Sequence, residues 1–417
     1  MNRDPETELE IEKRHRVVVI FEHFGPYHVA RCRGASEFLD VQPVELFGRC
    51  ETYAWSELKG ELDIKRKTLF ENREPASVSK RELSTALCAT LQRLAPDAVA
   101  VHGWSLPGAI ATIKWCYRNR VPAVVMSESR YADAPRSFAK EFVKRCILDH
   151  VSAGLVGAKS HAEYLISLGM NEKAISKGYD AVDNSFFSTG ARAARESAET
   201  LRNQLGLPEK YFFASGRFVE KKNFARLIEA YAMYRERFAE LDQNTLGERQ
   251  PWELVIAGDG PLRNQLKSLA TGSGAGDSIT FPGFIQYKRL PAYYGLASAF
   301  MHVSTVEQWG LVVNEAAAAG LPLGVSTSTG CADSLVVPDR NGWTCSAINV
   351  NDICSVMLNL SSATDQQRAE MGAASARIVD GYGPQEFGAG LSAATRYSIE
   401  NVRQAGQISR LVLSSML

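Results

Sequence analysis

Short apolar runs alternate with longer amphipathic runs along most of the chain, and this alternation restricts the fold more than any other feature. In the first half, helical spacing fills residues 79–94, 107–118 and 137–149, and the apolar runs between them are RVVVIFE, DAVAVHGW, PAVVMSES and SAGLVGA. Continuous apolar strands are buried on both faces, which is typical of parallel sheets covered by helices. The pattern therefore predicts an α/β fold built from doubly wound parallel sheets.

The alternation restarts after a polar segment rich in alanine and arginine at residues 188–210, which indicates two domains. Five later runs are predicted strands: YFFASG, WELVIAGDG, ASAFMHVST, PLGVST and WTCSA. A chain of 417 residues also exceeds the usual size of one core. The predicted units are a first domain at 1–190, a connector at 191–208, a second domain at 209–383 and a C-terminal helix at 384–417 that returns to the first domain.

Two doubly wound units in succession imply a deep cleft, because ligands of such sheets bind outside the carboxyl ends of the strands. The segment SGRFVEKKN places Arg217 directly after the first strand of the second half and Lys222 just before the next helix. A guanidinium forms forked hydrogen bonds and an ammonium acts as a point charge, so the pair suits a diphosphate. The alternative is a solvated basic loop.

The segment AGDGP ends another strand, with Gly258, Asp259 and Gly260 in the turn and Pro261 predicted at the first position of a helix. Glycines at such a turn allow a ligand to approach the backbone closely. A tight turn that binds nothing would require glycine as well.

The segment TVEQWGLVVNEAAAAG contains two acids, Glu307 in a polar break and Glu315 within an Ala-rich helical run. A carboxylate accepts hydrogen bonds from both hydroxyls of a vicinal diol, so two acids could hold two polyols. A ribose and a sugar joined by a diphosphate form such a ligand. The alternative is that the two carboxylates only stabilise the N-terminus of the helix through its dipole.

This ordered set of basic pair, glycine turn and two acids resembles the retaining glycosyltransferases of family four, which have the GT-B fold. The resemblance is strong over residues 211–343 and loose in the first half. It implies two Rossmann-like domains that face each other across a deep cleft, a nucleotide-diphosphate sugar as donor, and no metal or other cofactor. Gly258, Asp259 and Gly260 are assigned to the donor side.

The resemblance also implies a role for each matching residue. Arg217 and Lys222 correspond to the basic pair that binds the donor diphosphate. Glu307 corresponds to the acid that contacts the donor sugar, and Glu315 to the acid that contacts the ribose. In the first half, Gly25 of FGPYHVAR matches a loop near the phosphates.

Two residues of the first half are catalytic candidates on the acceptor side. Glu128, in AVVMSES, stands where the family often has a histidine, and His102, in AVHGW, ends the preceding strand. Either side chain could orient the acceptor hydroxyl or support proton transfer. A structural histidine at the end of a strand is the alternative for His102.

The predicted function is metal-independent transfer, with retention, of a sugar to a hydroxyl of a glycan or lipid-linked acceptor in cell-surface polysaccharide assembly. UDP is favoured over GDP as the nucleotide. A nucleotide-sugar epimerase on the same fold and a non-catalytic nucleotide-binding scaffold are the alternatives, and the intact basic pair and acids argue against a scaffold. A phosphorylase is disfavoured because no cofactor lysine can be identified, and a dehydrogenase because no G-x-G-x-x-G follows the first strand.

Composition restricts the partners and the location. Lys and Arg number 47, as do Asp and Glu, which argues against a nucleic-acid partner. The 8 cysteines form no C-x-x-C pair, as expected of reduced thiols. Residues 1–14 are charged, lack the apolar core of a signal peptide and are expected to be mobile, so the predicted location is cytoplasmic.

The segment RSFAKEFVKRCILDH, residues 136–150, combines basic and apolar side chains at helical spacing. A basic amphipathic helix can lie on an anionic membrane, which predicts peripheral contact at the inner face of the cytoplasmic membrane. A helix that packs on the core and has a charged outer face is the alternative.

Overall fold

The computed structural model describes residues 14–49, 64–240 and 250–416, and these form two domains, each built on one parallel sheet. The prediction for residues 1–14 therefore falls almost wholly outside the described residues. The strands of the first domain are β1 (Arg16–Phe21), β2 (Asp40–Phe47), β3 (Lys67–Phe70), β4 (Ala98–His102), β5 (Ala123–Ser127), β6 (Ala153–Val156) and β7 (Ile175–Lys177). The helices that cover them are α1 (Pro26–Ser36), α2 (Lys80–Leu94), α3 (Pro107–Asn119), α4 (Phe138–Leu148) and α5 (Lys159–Ser167).

The second domain repeats the alternation of strand and helix. Its strands are β8 (Tyr211–Ser215), β9 (Glu253–Ala257), β10 (Ile279–Gly283), β11 (Ala299–His302), β12 (Leu323–Ser326) and β13 (Gly342–Cys345). The helices that follow α5 are α6 (Asn184–Glu196), α7 (Ala198–Leu205), α8 (Phe224–Glu240), α9 (Arg263–Gly272), α10 (Leu290–Leu296), α11 (Leu311–Ala318), α12 (Ala332–Leu335), α13 (Val350–Ser362), α14 (Asp365–Val379), α15 (Pro384–Glu400) and α16 (Gln407–Ser415). The predicted α/β fold with doubly wound parallel sheets is confirmed.

The order of the strands places one crevice in each domain. The first sheet runs β3-β2-β1-β4-β5-β6-β7 and the second runs β10-β9-β8-β11-β12-β13. The chain moves outward in one direction from β1 and then returns to start again at β4, and it does the same at β8 and β11. Ligands of open parallel sheets bind at such switch points, beyond the carboxyl ends of the two central strands. The loops after β1, β4, β8 and β11 therefore lie at the two crevices.

Strands that carry a continuous apolar run were predictable, and those that lack one were not. β5 and β6 are buried along their whole length, as their sequences require. β2 has a proline in the middle and only its second half is buried, while β3 at the edge has no buried residue. Half-exposed strands give no distinct apolar signal, so β2 and β3, together with β7 and β10, were missed.

The segment between the domains is helical and belongs with the second domain in its packing. α6 lies against α10 so closely that a Cβ at Gly295 would be 2.6 Å from the carbonyl oxygen of Ala191. Phe187 and Ala191 of α6 are buried in the core that also contains residues of α10 and α11. The domain limits given above remain predictions. Helix α9 begins at Arg263, so Pro261 precedes the helix and is not its first residue.

Helix α15 packs against α1 and against the β6–β7 side of the first sheet. A Cβ at Gly388 would lie 2.5 Å from the carbonyl oxygen of Gly34, and one at Gly390 only 1.9 Å from that of Lys177. The two glycines weaken the intrinsic helix propensity, but this close approach requires them. Val402 follows the end of α15 and is 46% exposed.

Within the described residues, every cysteine is a free thiol, and six of these seven are buried; Cys50 lies outside them. None of the described helices is long and apolar enough to cross a membrane.

Candidate active site between the two domains

The glycine turn after β9 supports the loop that carries Arg217. Gly258 and Gly260 have φ of 139° and 155°, and a Cβ at Gly258 would lie 1.9 Å from the carbonyl oxygen of Gly216. The backbone N–H of Phe218 donates to the carbonyl oxygen of Asp259 at 2.8 Å. The exposed side chain of Asp259 pairs with Arg263 at 2.9 Å. These glycines thus have a packing role that requires no ligand, and they place the Arg217 loop.

The basic pair sits on an anchored loop. Asn223 has φ of 61°, and its side-chain amide donates to the carbonyl oxygens of Val303 at 2.9 Å and Ala347 at 2.7 Å. Arg217 is exposed, and its guanidinium makes no hydrogen bond or ion pair with any of the residues that the structure describes. Its donors can therefore bind an external anion.

Glu307 lies in the loop after β11, where its carboxylate forms an ion pair with the Lys222 ammonium. His302 Nε2 lies 3.5 Å from Glu307 Oε2, and the Ser304 hydroxyl donates to the same oxygen at 3.3 Å. Burial alone would raise the pKa of Glu307, but the hydrogen bond with His302 and the charge of Lys222 outweigh burial and hold it well below its usual range. The side chain is therefore an anion at neutral pH.

Glu315, on α11, is completely buried and accepts two tyrosine hydroxyl bonds. The Tyr294 hydroxyl donates at 2.6 Å, and the other donor is Tyr27 of α1, which belongs to the first domain. Burial raises the pKa of Glu315 to about 7, although both hydroxyl bonds oppose the rise. The predicted ribose-binding acid therefore joins the two domains through Tyr27, and each of its carboxylate oxygens already accepts a hydrogen bond from a tyrosine.

The raised pKa of Glu315 predicts a pH dependence of stability. Between pH 4.5 and about 7 the unfolded chain has released this proton while the folded protein retains it, so the contribution of Glu315 to stability falls as pH rises through that window. Glu315→Gln removes this dependence. We expect the free energy of unfolding of the wild type, relative to the variant, to fall by about 3 kcal/mol between pH 4.5 and pH 8. Urea unfolding of both proteins across this range measures it, and parallel pH profiles would contradict it.

The three candidates of the first domain lie at the ends of β1, β4 and β5. Gly25 precedes α1 with φ of −116°, which any residue can adopt, and its N–H donates to His28 Nδ1 at 2.9 Å. His102 borders the crevice, where solvent still reaches it; the protein packed around it lowers its pKa, and the charge of Glu128 works in the opposite direction. His102 is therefore close enough to Glu128 to feel the charge of its carboxylate.

A second carboxyl group lies beside Glu128. Asp180 is buried, and neither of its carboxyl oxygens has a hydrogen-bond partner among the described residues. Arg31 Nη2 is 3.8 Å from Asp180 Oδ1. Burial and the negative charge of Glu128 raise the pKa of Asp180, and Arg31 opposes them. The arrangement favours a neutral Asp180 beside the Glu128 carboxyl group.

The structure brings some of the predicted residues together and leaves others apart. Lys222 and Glu307 are in contact, and the Arg217 loop lies beside them, since a Cβ at Gly216 would be 3.6 Å from Lys222 Cδ. Glu315 makes no hydrogen bond or ion pair with any of these three within the described part of the chain. It sits instead at the junction with the first domain.

Residues that sequence reasoning missed complete the site. Tyr27 stands in FGPYHVAR and Arg130 in the segment that follows AVVMSES, so both were adjacent to predicted residues. His161, Asp180 and His302 gave no signal in the sequence, because their roles arise from contacts between separate elements.

The resemblance to glycosyltransferases is confirmed by comparison with known proteins. The family model described as "Glycosyl transferases group 1" matches residues 197–377. The chain is similar to an alpha-monoglucosyldiacylglycerol synthase of Streptococcus pneumoniae, with 33% identity over 131 residues, which are 31% of this chain and 27% of that protein. It is also similar to the enzyme of the same description from Acholeplasma laidlawii, with 24% identity over 279 residues, 60% of this chain and 64% of that protein. The matches therefore span less than two thirds of the length of these curated relatives.

A solved structure shows the same fold. The Anabaena protein Alr3699/HepE, solved in complex with UDP and glucose, superposes with a TM-score of 0.64 at 15% identity, and the match covers 96% of this chain and 100% of that one. Together with the two parallel sheets, this likeness confirms the predicted GT-B fold.

Proposed function

Since residues 197–377 match the glycosyl transferases group 1 model and the chain has the GT-B fold, we propose that this protein is a retaining, metal-independent glycosyltransferase. Its donor is a nucleotide-diphosphate sugar, with UDP favoured over GDP, and its acceptor is a hydroxyl of a lipid or a lipid-linked glycan. The observation that carries this proposal is the Lys222–Glu307 ion pair beside the exposed Arg217, at the carboxyl ends of β8 and β11.

In the proposed reaction each of these charged groups has a distinct task. The guanidinium of Arg217 and the ammonium of Lys222 bind the diphosphate and stabilise the charge that grows on it as the sugar leaves. Glu307 remains an anion and accepts hydrogen bonds from hydroxyls of the donor sugar. Because Lys222 already pairs with Glu307, one cation links the phosphate and sugar subsites.

On the acceptor side, the acceptor oxygen attacks the anomeric carbon while the bond from that carbon to the phosphate oxygen breaks on the same face. The proton of the acceptor hydroxyl passes to the departing phosphate oxygen. Glu128 and His102 orient the acceptor for this attack. Contact between the two domains excludes water, which suppresses hydrolysis of the donor.

The donor half of the proposal is tested by melting the protein with UDP, GDP, ADP and their sugar derivatives. A ligand at about 100 times its dissociation constant stabilises the folded protein by roughly 2.7 kcal/mol. We expect one nucleotide diphosphate and its sugars to raise the melting temperature, without added metal. If none of them does, the proposal fails. Product analysis without an acceptor would expose an epimerase, because the donor sugar would then be converted while still attached to the nucleotide.

A lipid acceptor is supported by an exposed apolar surface on the first domain. Phe138 and Phe142 of α4 are 89% and 41% exposed, and Ile408 and Leu411 of the adjoining α16 are 64% and 72% exposed. Arg136 and Lys144 pair with Glu141 at 3.5 and 2.8 Å, so they contribute less positive charge than the sequence suggests. Apolar insertion is therefore the main component of the proposed membrane contact, and the curated relatives named above are diacylglycerol glycolipid synthases by description.

We expect the wild type to float with vesicles of phosphatidylglycerol and phosphatidylcholine, and the double variant Phe138→Ser, Phe142→Ser to lose this flotation. Removing two exposed rings takes away the apolar area that would enter the bilayer. Ile348→Ser is the matched control, because Ile348 is 73% exposed but lies on the second domain. Equal flotation of the double variant and the wild type would contradict membrane contact through α4.

A further inference from the structure

One arginine crosses from the first domain to the loop that carries Glu307. Arg130 follows β5, two residues beyond Glu128, and its Nη2 donates to the carbonyl oxygen of Glu307 at 2.6 Å and to that of Ser328 at 2.8 Å. These carbonyls belong to the loops after β11 and β12 of the second domain. A charged donor to two carbonyl oxygens is a strong contact, because charge-assisted hydrogen bonds are stronger than those between neutral groups.

The next carbonyl in the same loop is also held from the first domain. His161 of α5 is fully buried, and its Nδ1 accepts from the backbone N–H of Ala158 at 3.1 Å. Its proton therefore lies on Nε2, which donates to the carbonyl oxygen of Gln308 at 3.0 Å. Two side chains of one domain thus bind consecutive peptide groups of the other, at residues 307 and 308.

Arg130 is itself fixed before it reaches the loop. Its Nε donates to Asp133 Oδ1 at 3.0 Å and its backbone N–H donates to Asp133 Oδ2 at 2.7 Å. The side chains of the pair are only 11% and 13% exposed. A guanidinium restricted in this way loses little further freedom when it binds, and it remains charged at all accessible pH values.

Glu307 is consequently held by both domains at once. Its carboxylate is bound within the second domain by Lys222 and Ser304, and its carbonyl oxygen accepts from Arg130 of the first domain and from the N–H of Gly330. If the domains move apart, the contacts of Arg130 and His161 with the loop break while those of Lys222 remain.

We propose that Arg130 is a positioning residue which, together with His161, holds the Glu307 loop from the first domain, so that the Glu307 carboxylate meets the donor sugar in the correct place only when the two domains are in contact. This inference rests on the proposed function. The inference separates nucleotide binding from turnover. The nucleotide diphosphate is held by Arg217 and Lys222 of the second domain and needs no contact from Arg130. Alignment of the donor sugar, in contrast, requires that contact.

The test compares Arg130→Gln, Arg130→Lys and the wild type in nucleotide release from the donor identified by the melting panel. We expect Arg130→Gln to lower kcat about 10²-fold, because a small misplacement of a reacting group has an effect of that order. KM for the donor and the melting shift caused by the free nucleotide diphosphate should stay near wild type. Arg130→Lys should recover part of kcat, since it retains the charge and one donor direction.

Arg93→Gln is the control, because Arg93 of α2 is an exposed arginine of the same domain and lies outside the segment proposed to contact the membrane. His161→Gln serves as the second variant and should lower kcat with the same unchanged nucleotide affinity. Near wild-type kcat in Arg130→Gln would overturn the positioning role, as would equal losses of kcat, nucleotide affinity and melting temperature. Failure of the proposed function would appear in the wild type itself, as no nucleotide release from any donor.

Discussion

Glu307→Gln is expected to lower the rate of sugar transfer by about 10²–10³-fold, the usual effect of removing one preorganised electrostatic contact from an active site. Glutamine has nearly the same shape as glutamate but carries no charge. It therefore accepts weaker hydrogen bonds from the hydroxyls of the donor sugar, and it leaves Lys222 without its counter-ion. The loss should fall mainly on kcat, because the nucleotide still binds through Arg217 and Lys222. Initial rates of nucleotide release with saturating donor measure the effect.

Glu236→Gln is the control for this experiment, since Glu236 is an exposed acid on α8 in the same domain. A second measurement distinguishes catalysis from folding. Because Glu307 is largely buried, its substitution could also destabilise the fold. The melting temperature of the Glu307→Gln variant should therefore be recorded with and without nucleotide. If the Glu307→Gln variant transfers sugar at the wild-type rate, Glu307 has no role in the reaction, and the central argument for a transferase fails.

Glu128→Gln is expected to lower transfer by about 10²-fold, because misplacement of a reacting group has an effect of that order, while nucleotide binding survives. Glu128 belongs to the first domain, and the donor diphosphate is bound by residues of the second. Glutamine also removes the negative charge beside Asp180. The separate readouts are nucleotide release in the presence of acceptor and the melting shift caused by the nucleotide alone.

Glu163→Gln is the matched control, because Glu163 is an exposed acid of the first domain that pairs with Lys159 at 3.6 Å. A fully active Glu128→Gln variant would show that Glu128 does not orient the acceptor, and this role would then belong to His102 or to neither side chain. A variant that loses nucleotide binding as well would show that Glu128 acts on the donor.

Much of the donor side was predictable because its residues follow strands with a strong apolar signal. YFFASG and WELVIAGDG are continuous runs, so the positions of Arg217, Lys222 and the glycine turn relative to the sheet could be inferred. Parallel strands bring their carboxyl ends to one edge, and Lys222 and Glu307 do meet there. The roles given to these residues and to Gly25, His102 and Glu128 remain predictions.

The acceptor side and the junction of the domains were far less predictable. Tyr27 and Glu315 are 288 positions apart, and Arg130 and Glu307 are 177 apart. No local period or turn preference links such positions. Glycines such as Gly388 and Gly390 lower helix propensity, whereas the structure shows that α15 needs them to approach α1 and Lys177.

From the sequence by itself came the fold class, the crevice at β8 and β11, and the resemblance that assigns the basic pair and the two acids, because all of these depend on local patterns repeated at strand ends. Only the tertiary structure determined that Glu315 accepts a hydrogen bond from Tyr27, that Asp180 is buried beside Glu128, and that Arg130 and His161 hold the Glu307 loop. The contacts of Tyr27, Arg130 and His161 depend on how two independently patterned domains are oriented. The burial that shifts the pKa of Glu315 exists only once the two domains are packed together.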